Sequence, residues 1–494
     1  MIVGAAWSVF LSSPRGWQSG SQNRLFRSSL CAKSPLHSRH TRFQTGQLMN
    51  DHSSSGIMLS RRGFVQTGYS AAMGLGLASV LPCSASASSS VKRKPKSVII
   101  VFLTGAASHH DTFDMKPDAP AEIRGQFKPI STPVPGLQVC EHLPLIARQM
   151  NHCALVRSLA HREDNHLLAT HQVLTGTAIP AGKFDQIATR NDWPCYSAGL
   201  DHFHPRTDGV PTGVTLPTFL MEGPLVWPGQ HSGFLGAKHD PWHIKEDPNK
   251  PGFRVGSLHA ADGVGRIQER FALLEQMDPS RGGTLAYSSP MSEQQDRAFT
   301  ILNSGKVAEA FDLEKEATAV RDRYGRHSFG QSLLLARRLV ESGVSIVQTN
   351  MGHVQNWDNH GDIFNTLKNR LLPPLDRGVS ALISDLNDRG LLNDTLVVMF
   401  GEFGRTPKVN AGAGRDHWGR AFFGAFFGGG VTGGAVIGKT DAIGSAPVTP
   451  AYSPMDLGAT IYQALGVEHE AEVKDQLKRP VMLNAGKPIG AIYG

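Results

Sequence analysis

The sequence predicts an α/β fold in which helices cover both faces of a mostly parallel sheet. Three observations point there. Apolar runs rich in β-branched residues stand at 97–103, 344–347 and 396–400, the composition of strands buried on both faces. The last two runs each follow a stretch with apolar residues at helical spacing, 328–342 and 375–389, closed by Gly343 and Gly390. Helix and strand therefore alternate, as crossover-connected parallel strands require.

At the N-terminal side, residues 1–87 form a basic leader. Of the 49 Lys and Arg and the 42 Asp and Glu in the chain, eight and one fall there, so the remainder is electrically balanced. That balance argues against nucleic acid as a partner. Within the leader, 60–66 reads S-R-R-G-F-V-Q, followed by an uncharged apolar run at 68–81 and small residues ending at Ala87. This is a three-part signal peptide over 58–87. The Arg61-Arg62 pair resembles the twin-arginine signal, which exports folded proteins, so a periplasmic or otherwise extracytoplasmic location is expected. An apolar run of about 14 residues falls short of the ~20 needed to cross a bilayer, and no stable membrane anchor is expected. Met58 reads as the true start, leaving 1–57 as an untranslated or disordered leader.

Residues 88–96 read as a basic linker, and 97–494 as one domain. Within it, 201–256 is rich in Pro, Gly and His without periodicity and reads as an irregular insertion over the sheet, while 266–313 reads as an inserted helical segment. Near the C-terminus, Ser453 can cap a helix with Pro454 in its first position. Only Cys140, Cys153 and Cys195 follow the leader, too few for a disulfide framework.

Ligands of open parallel sheets bind beyond the carboxyl ends of the strands, so polar residues following the apolar runs are the candidates for chemistry. After 97–103 come Ser108, His109, His110, Asp111 and Asp114. A second cluster holds His161, Glu163, Asp164, His166, Thr170 and His171, with His166 and Thr170 on one face if the segment from Asn165 is helical. A third, after 344–347, offers His353, Asp358, His360 and Asp362. The fourth follows 396–400 with Glu402, Arg405, Asp416 and His417. A carboxylate ending a buried strand, as Glu402 does, needs a cation beside it: Arg405, a metal or both. Carboxylates and imidazoles delivered together suit a metal-assisted hydrolase acting on phosphate or sulfate esters. The mixture favours zinc or manganese over calcium. Arg124, Arg157, Arg162, Arg405 and Arg415 are available to grip an oxyanion.

The strings G-A-A-S-H-H-D-T-F-D, A-P-A-E-I-R-G-Q-F-K-P-I, W-D-N-H-G-D, G-E-F-G-R-T-P and G-R-D-H-W resemble the DUF1501 family, related to sulfatases within the alkaline-phosphatase superfamily. The likeness runs from about residue 97 to 466. It implies an alkaline-phosphatase-like three-layer α/β/α sandwich with a metal centre above the sheet, drawn from Asp358, His360, Glu402, Asp416 and His417 with help from His109 or Asp111. Departures are visible. The Asp358-x-His360 spacing is short for the superfamily, Phe403 replaces a histidine, and His166 stands where sulfatases place a C/S-x-P-x-R nucleophile string. The expected catalytic residues are therefore Thr170 or Ser108 as nucleophile, unless the metal activates water directly, together with His166 and Arg405. The expected substrate is an anionic ester, with sulfated or phosphorylated carbohydrates as one source. The competing reading is a non-catalytic binding protein that retains the sulfatase-like fold. The residues leave the oligomeric state open.

Overall fold

The computed structural model describes residues 96–178, 188–255, 273 and 307–494. The leader at 1–57, the signal segment at 58–87 and the linker up to residue 95 lie outside them. So does most of the helical segment expected at 266–313, whose described end forms 3-10 turns at Ala308–Phe311 and Leu313–Lys315.

Eight strands make one sheet: β1 (Ser97–Phe102), β2 (Cys153–Leu159), β3 (Gly213–Leu216), β4 (Trp242–His243), β5 (Ile346–Asn350), β6 (Thr395–Phe400), β7 (Phe422–Gly428) and β8 (Val436–Ile437). Their order is β8-β2-β7-β6-β1-β5-β3-β4. Strand β7 runs antiparallel to both of its neighbours, and every other pair is parallel.

Alternation along the central strands divides the core in two. In β1, Ile99 and Val101 join a cluster with Leu333, Leu382 and Leu386, whereas Val98, Ile100 and Phe102 join one with Leu174, Leu200 and Ile461. The first cluster is capped by α3 (Ser328–Glu341) and α4 (Leu372–Asp388), the second by α1 (His166–Thr175), α2 (Tyr196–Phe203) and α5 (Pro454–Ala464). The fold is thus a three-layer α/β/α sandwich. Both faces of the sheet are dry, which is why its central strands read as unbroken apolar runs.

The structure differs from the sequence reading at 201–256, which supplies strands β3 and β4 to the sheet instead of lying over it. Both are too short for periodicity to register. Strands β2 and β7 were also not anticipated. All seven residues of β7, FFGAFFG, are buried, so it shows no alternation to mark it. What matters for function is the register at the centre. Phe102 pairs with both Phe400 and Asn350, so the loops after β1, β5 and β6 leave the sheet at one edge.

Candidate metal centre

Glu402 sits two residues beyond β6 and is fully buried. Its oxygens accept the Gly105 N–H at 2.9 and 3.2 Å, and Oε1 lies 2.6 Å from His166 Nδ1. Gly105 has φ +95, and a Cβ there would fall 2.7 Å from the Gln355 backbone, so only glycine lets the β1 and β5 loops approach so closely. His166 opens α1, where the Asn165 side chain accepts the N–H groups of Leu167 and Leu168 as an N-cap.

Three histidines repeat one pattern. Nδ1 of His166 meets Glu402, Nδ1 of His360 lies 2.7 Å from Asp416 Oδ1, and Nδ1 of His417 lies 2.6 Å from the Asp164 carbonyl. Each Nδ1 thus has an oxygen to receive its proton, which leaves a lone pair on each Nε2. All three Nε2 atoms turn toward Asp358. Those of His360 and His417 are 2.9 and 3.1 Å from Oδ1 and 3.0 Å from each other. That of His166 is 3.3 Å from Oδ2, without hydrogen-bond geometry. Lone pairs converging on a carboxylate repel unless protons or a cation lie among them. Burial alone would lower the His166 pKa, but the Asp358 and Glu402 carboxylates raise it to about 9. Asp358 moves the other way. Burial opposes its charge, but the surrounding histidines and Arg405 hold it far below the usual carboxylate range.

The spacing also suits an ion. Tetrahedral N and O ligands at roughly 2.0–2.1 Å from zinc stand about 3.3 Å apart, close to the edges found here. Ligand atoms of His166, Asp358 and His417 all lie within 4.8 Å of one another, and His360 joins them through Asp358 and His417.

The DUF1501 family, described as proteins of unknown function, matches residues 95–493. The chain belongs to that family. No curated protein matches this DUF1501 chain. Among solved structures it is similar to Ps i-CgsB, solved in complex with k-i-k-neocarrahexaose, at 14% identity and TM-score 0.37, covering 76% of this chain and 73% of that one. It is likewise similar to a sulfatase from Pseudoalteromonas sp., at 13% identity and TM-score 0.35, covering 76% and 68%. The alkaline phosphatase of the Antarctic bacterium TAB5 follows at 10% identity and TM-score 0.34, covering 76% and 99%. Scores of this size leave the activity to be argued from the site.

Several candidate residues of this DUF1501 protein have partners away from the three imidazoles. Ser108 donates to Asp111 at 2.6 Å, and Asp111 is ion-paired with the buried Arg415 at 2.7 Å. His109 turns Nε2 to the Gly444 carbonyl. Thr170 lies one turn along α1 from His166, fully buried, with no partner for its hydroxyl among the described residues. Glu402 stands behind His166, and Asp416 behind His360, each touching the ring nitrogen that faces away from Asp358. Arg405 is fully buried and reaches Asp358 Oδ1 at 2.6 Å. It therefore fixes Asp358 and does not face solvent. Of the partners the sequence allows for Glu402, Arg405 is instead paired with Asp358, and Glu402 meets His166.

Above the centre opens a cleft of about 540 Å³, lined in part by His166, His417, Arg162, Glu222, Trp227 and Gln355. Sequence reasoning missed Glu222, Trp227 and Gln355. Only Gln355 carried a signal, three residues before Asp358 in the same loop.

Proposed function

We propose that this protein is an exported, metal-dependent hydrolase of phosphate or sulfate monoesters. The observation that supports it best is the set of three imidazoles, each met at Nδ1 by an oxygen and turned at Nε2 toward one carboxylate beside an open cleft. Such outer oxygens set the tautomer and ring direction of metal-binding histidines. Asp358, His166, His360 and His417 would hold the ion, and this donor mixture suits zinc or manganese better than calcium. A divalent ion bound there would neutralise the ester oxygens.

The remaining work falls to the chain. Glu402 and Asp416 keep the Nδ1 protons of His166 and His360, and Arg405 holds Asp358 in place. No Ser, Thr or Cys is among the described residues lining the cleft, which favours water entering from the cleft as the attacking group. Sulfated and phosphorylated carbohydrates fall within this substrate class. The absence of Ser, Thr and Cys from the described cleft residues also favours a second reading, a binding protein that keeps the metal and performs no hydrolysis.

Metal analysis of the purified chain, followed by assays with aryl phosphates and aryl sulfates, separates these readings. Stoichiometric zinc or manganese with hydrolysis of either ester is the expected result, and His360→Ala or Asp358→Asn should lower both. Metal without hydrolysis would favour the binding protein. A chain that takes up no added metal would overturn both.

A further inference from the structure

The positive charge available to grip a substrate is largely consumed inside the protein. A guanidinium carries five N–H groups, and Arg405 directs its own to the carbonyls of Gly105, Ala106, Trp357 and Arg415 and to Asp358. Arg415 is committed in the same way to Asp111 and to the carbonyls of Ile123, Thr406 and Pro407. Both are fully buried. Arg157 turns to the Phe113 and Gln138 carbonyls and Asp114.

The cleft has the opposite character. Among the described residues lining it, Arg162 is the one Lys or Arg, against Glu163, Asp164 and Glu222. Asp164 accepts the Gly419 N–H at 2.6 Å. Glu222 lies on the hairpin of Met221–Glu222 and Leu225–Val226. Gln355, held at φ +61 in the loop after β5, donates to Glu222 Oε2 at 3.3 Å and fixes that carboxylate at the rim.

We infer that the cleft selects esters whose alcohol carries no negative charge of its own, such as a neutral polyol or a cationic amino alcohol. This rests on the ester-binding reading above. The single anionic group would be drawn to the cation that Asp358, His166, His360 and His417 would hold, and the alcohol meets the carboxylate rim. A second negative charge on the alcohol would lie against Glu163 and Glu222. In a hydrated cleft at low salt that repulsion weakens binding by about tenfold.

The test uses the full chain loaded with zinc and the phosphate and sulfate monoesters of choline, glycerol and glyceric acid, whose alcohols carry +1, 0 and −1. Affinity is read by calorimetry at low and high salt, and hydrolysis separately by phosphate or sulfate release. The expected order is choline and glycerol esters about tenfold or more tighter than the glycerate ester, with the gap narrowing in salt. Glu222→Gln and Glu163→Gln should each narrow it too. Equal or tighter binding of the glycerate ester, a gap indifferent to both substitutions, or no binding of any probe overturns the inference. Ordered binding without hydrolysis leaves it standing and removes only the hydrolase reading.

Discussion

Glu402 shows what one side chain can govern from behind a metal site. It touches no solvent, yet it orients His166 and accepts the Gly105 N–H that joins the β1 loop to the β6 loop. Glu402→Gln can still accept that N–H but loses the charge facing His166 Nδ1. Metal affinity should fall by roughly 10–100-fold, measured by chelator competition, while circular dichroism stays native. Asp114 supplies a stability prediction at the same scale. Burial alone would raise its pKa, but Lys116 and Arg157 outweigh burial and hold it below the usual value. A carboxyl depressed in the folded state contributes stability above its unfolded pKa and loses it as pH falls through the folded one. Asp114→Asn should therefore be less stable at neutral pH and should flatten the acid limb of the stability curve below about pH 4, followed by denaturant unfolding at several pH values. An unchanged acid limb would show that other groups control it.

Among the elements, α1 links helix formation to the site. His166 is its first residue, so the Asn165 cap positions a candidate ligand as well as starting a helix. Asn165→Ala should cost about 1 kcal/mol and also weaken metal binding. A stability loss with unaltered metal affinity would mean that packing alone places His166. Two other helices closely match the spacing that predicts them: α3 covers Ser328–Glu341 against an expected 328–342, and α4 covers Leu372–Asp388 against 375–389. At the start of α4, Pro373 and Pro374 supply no N–H groups, and the residues just before them, Leu367–Leu371, form a π-helical turn, so the helical stretch begins earlier than its apolar periodicity suggests. Strands β3 and β4 escaped notice because they are held by pairing with β5 and with each other, which no local pattern records.

For the molecule as a whole, the expected route out of the cytoplasm rests on Arg61 and Arg62, which lie outside the described residues. Replacing both by Lys should leave the protein in the cytoplasm, and fractionation showing normal export of the doubly substituted chain would count against that route. No described helix is long and apolar enough to cross a membrane. The sequence by itself determined the alternation of helix and strand, the parallel centre of the sheet, and the residue types that gather after β1, β5 and β6. These are legible because periodicity, caps and apolar runs act over a few neighbouring residues. Only the tertiary structure decided which of those residues face one another. Glu402 meets His166 across 236 positions and His417 meets Asp164 across 253. Whether a carboxylate binds an ion or stands behind a histidine, and whether an arginine faces substrate or backbone, depends on contacts between loops that parallel strands bring to one edge. Such contacts are set by sheet order and register, which local sequence does not encode.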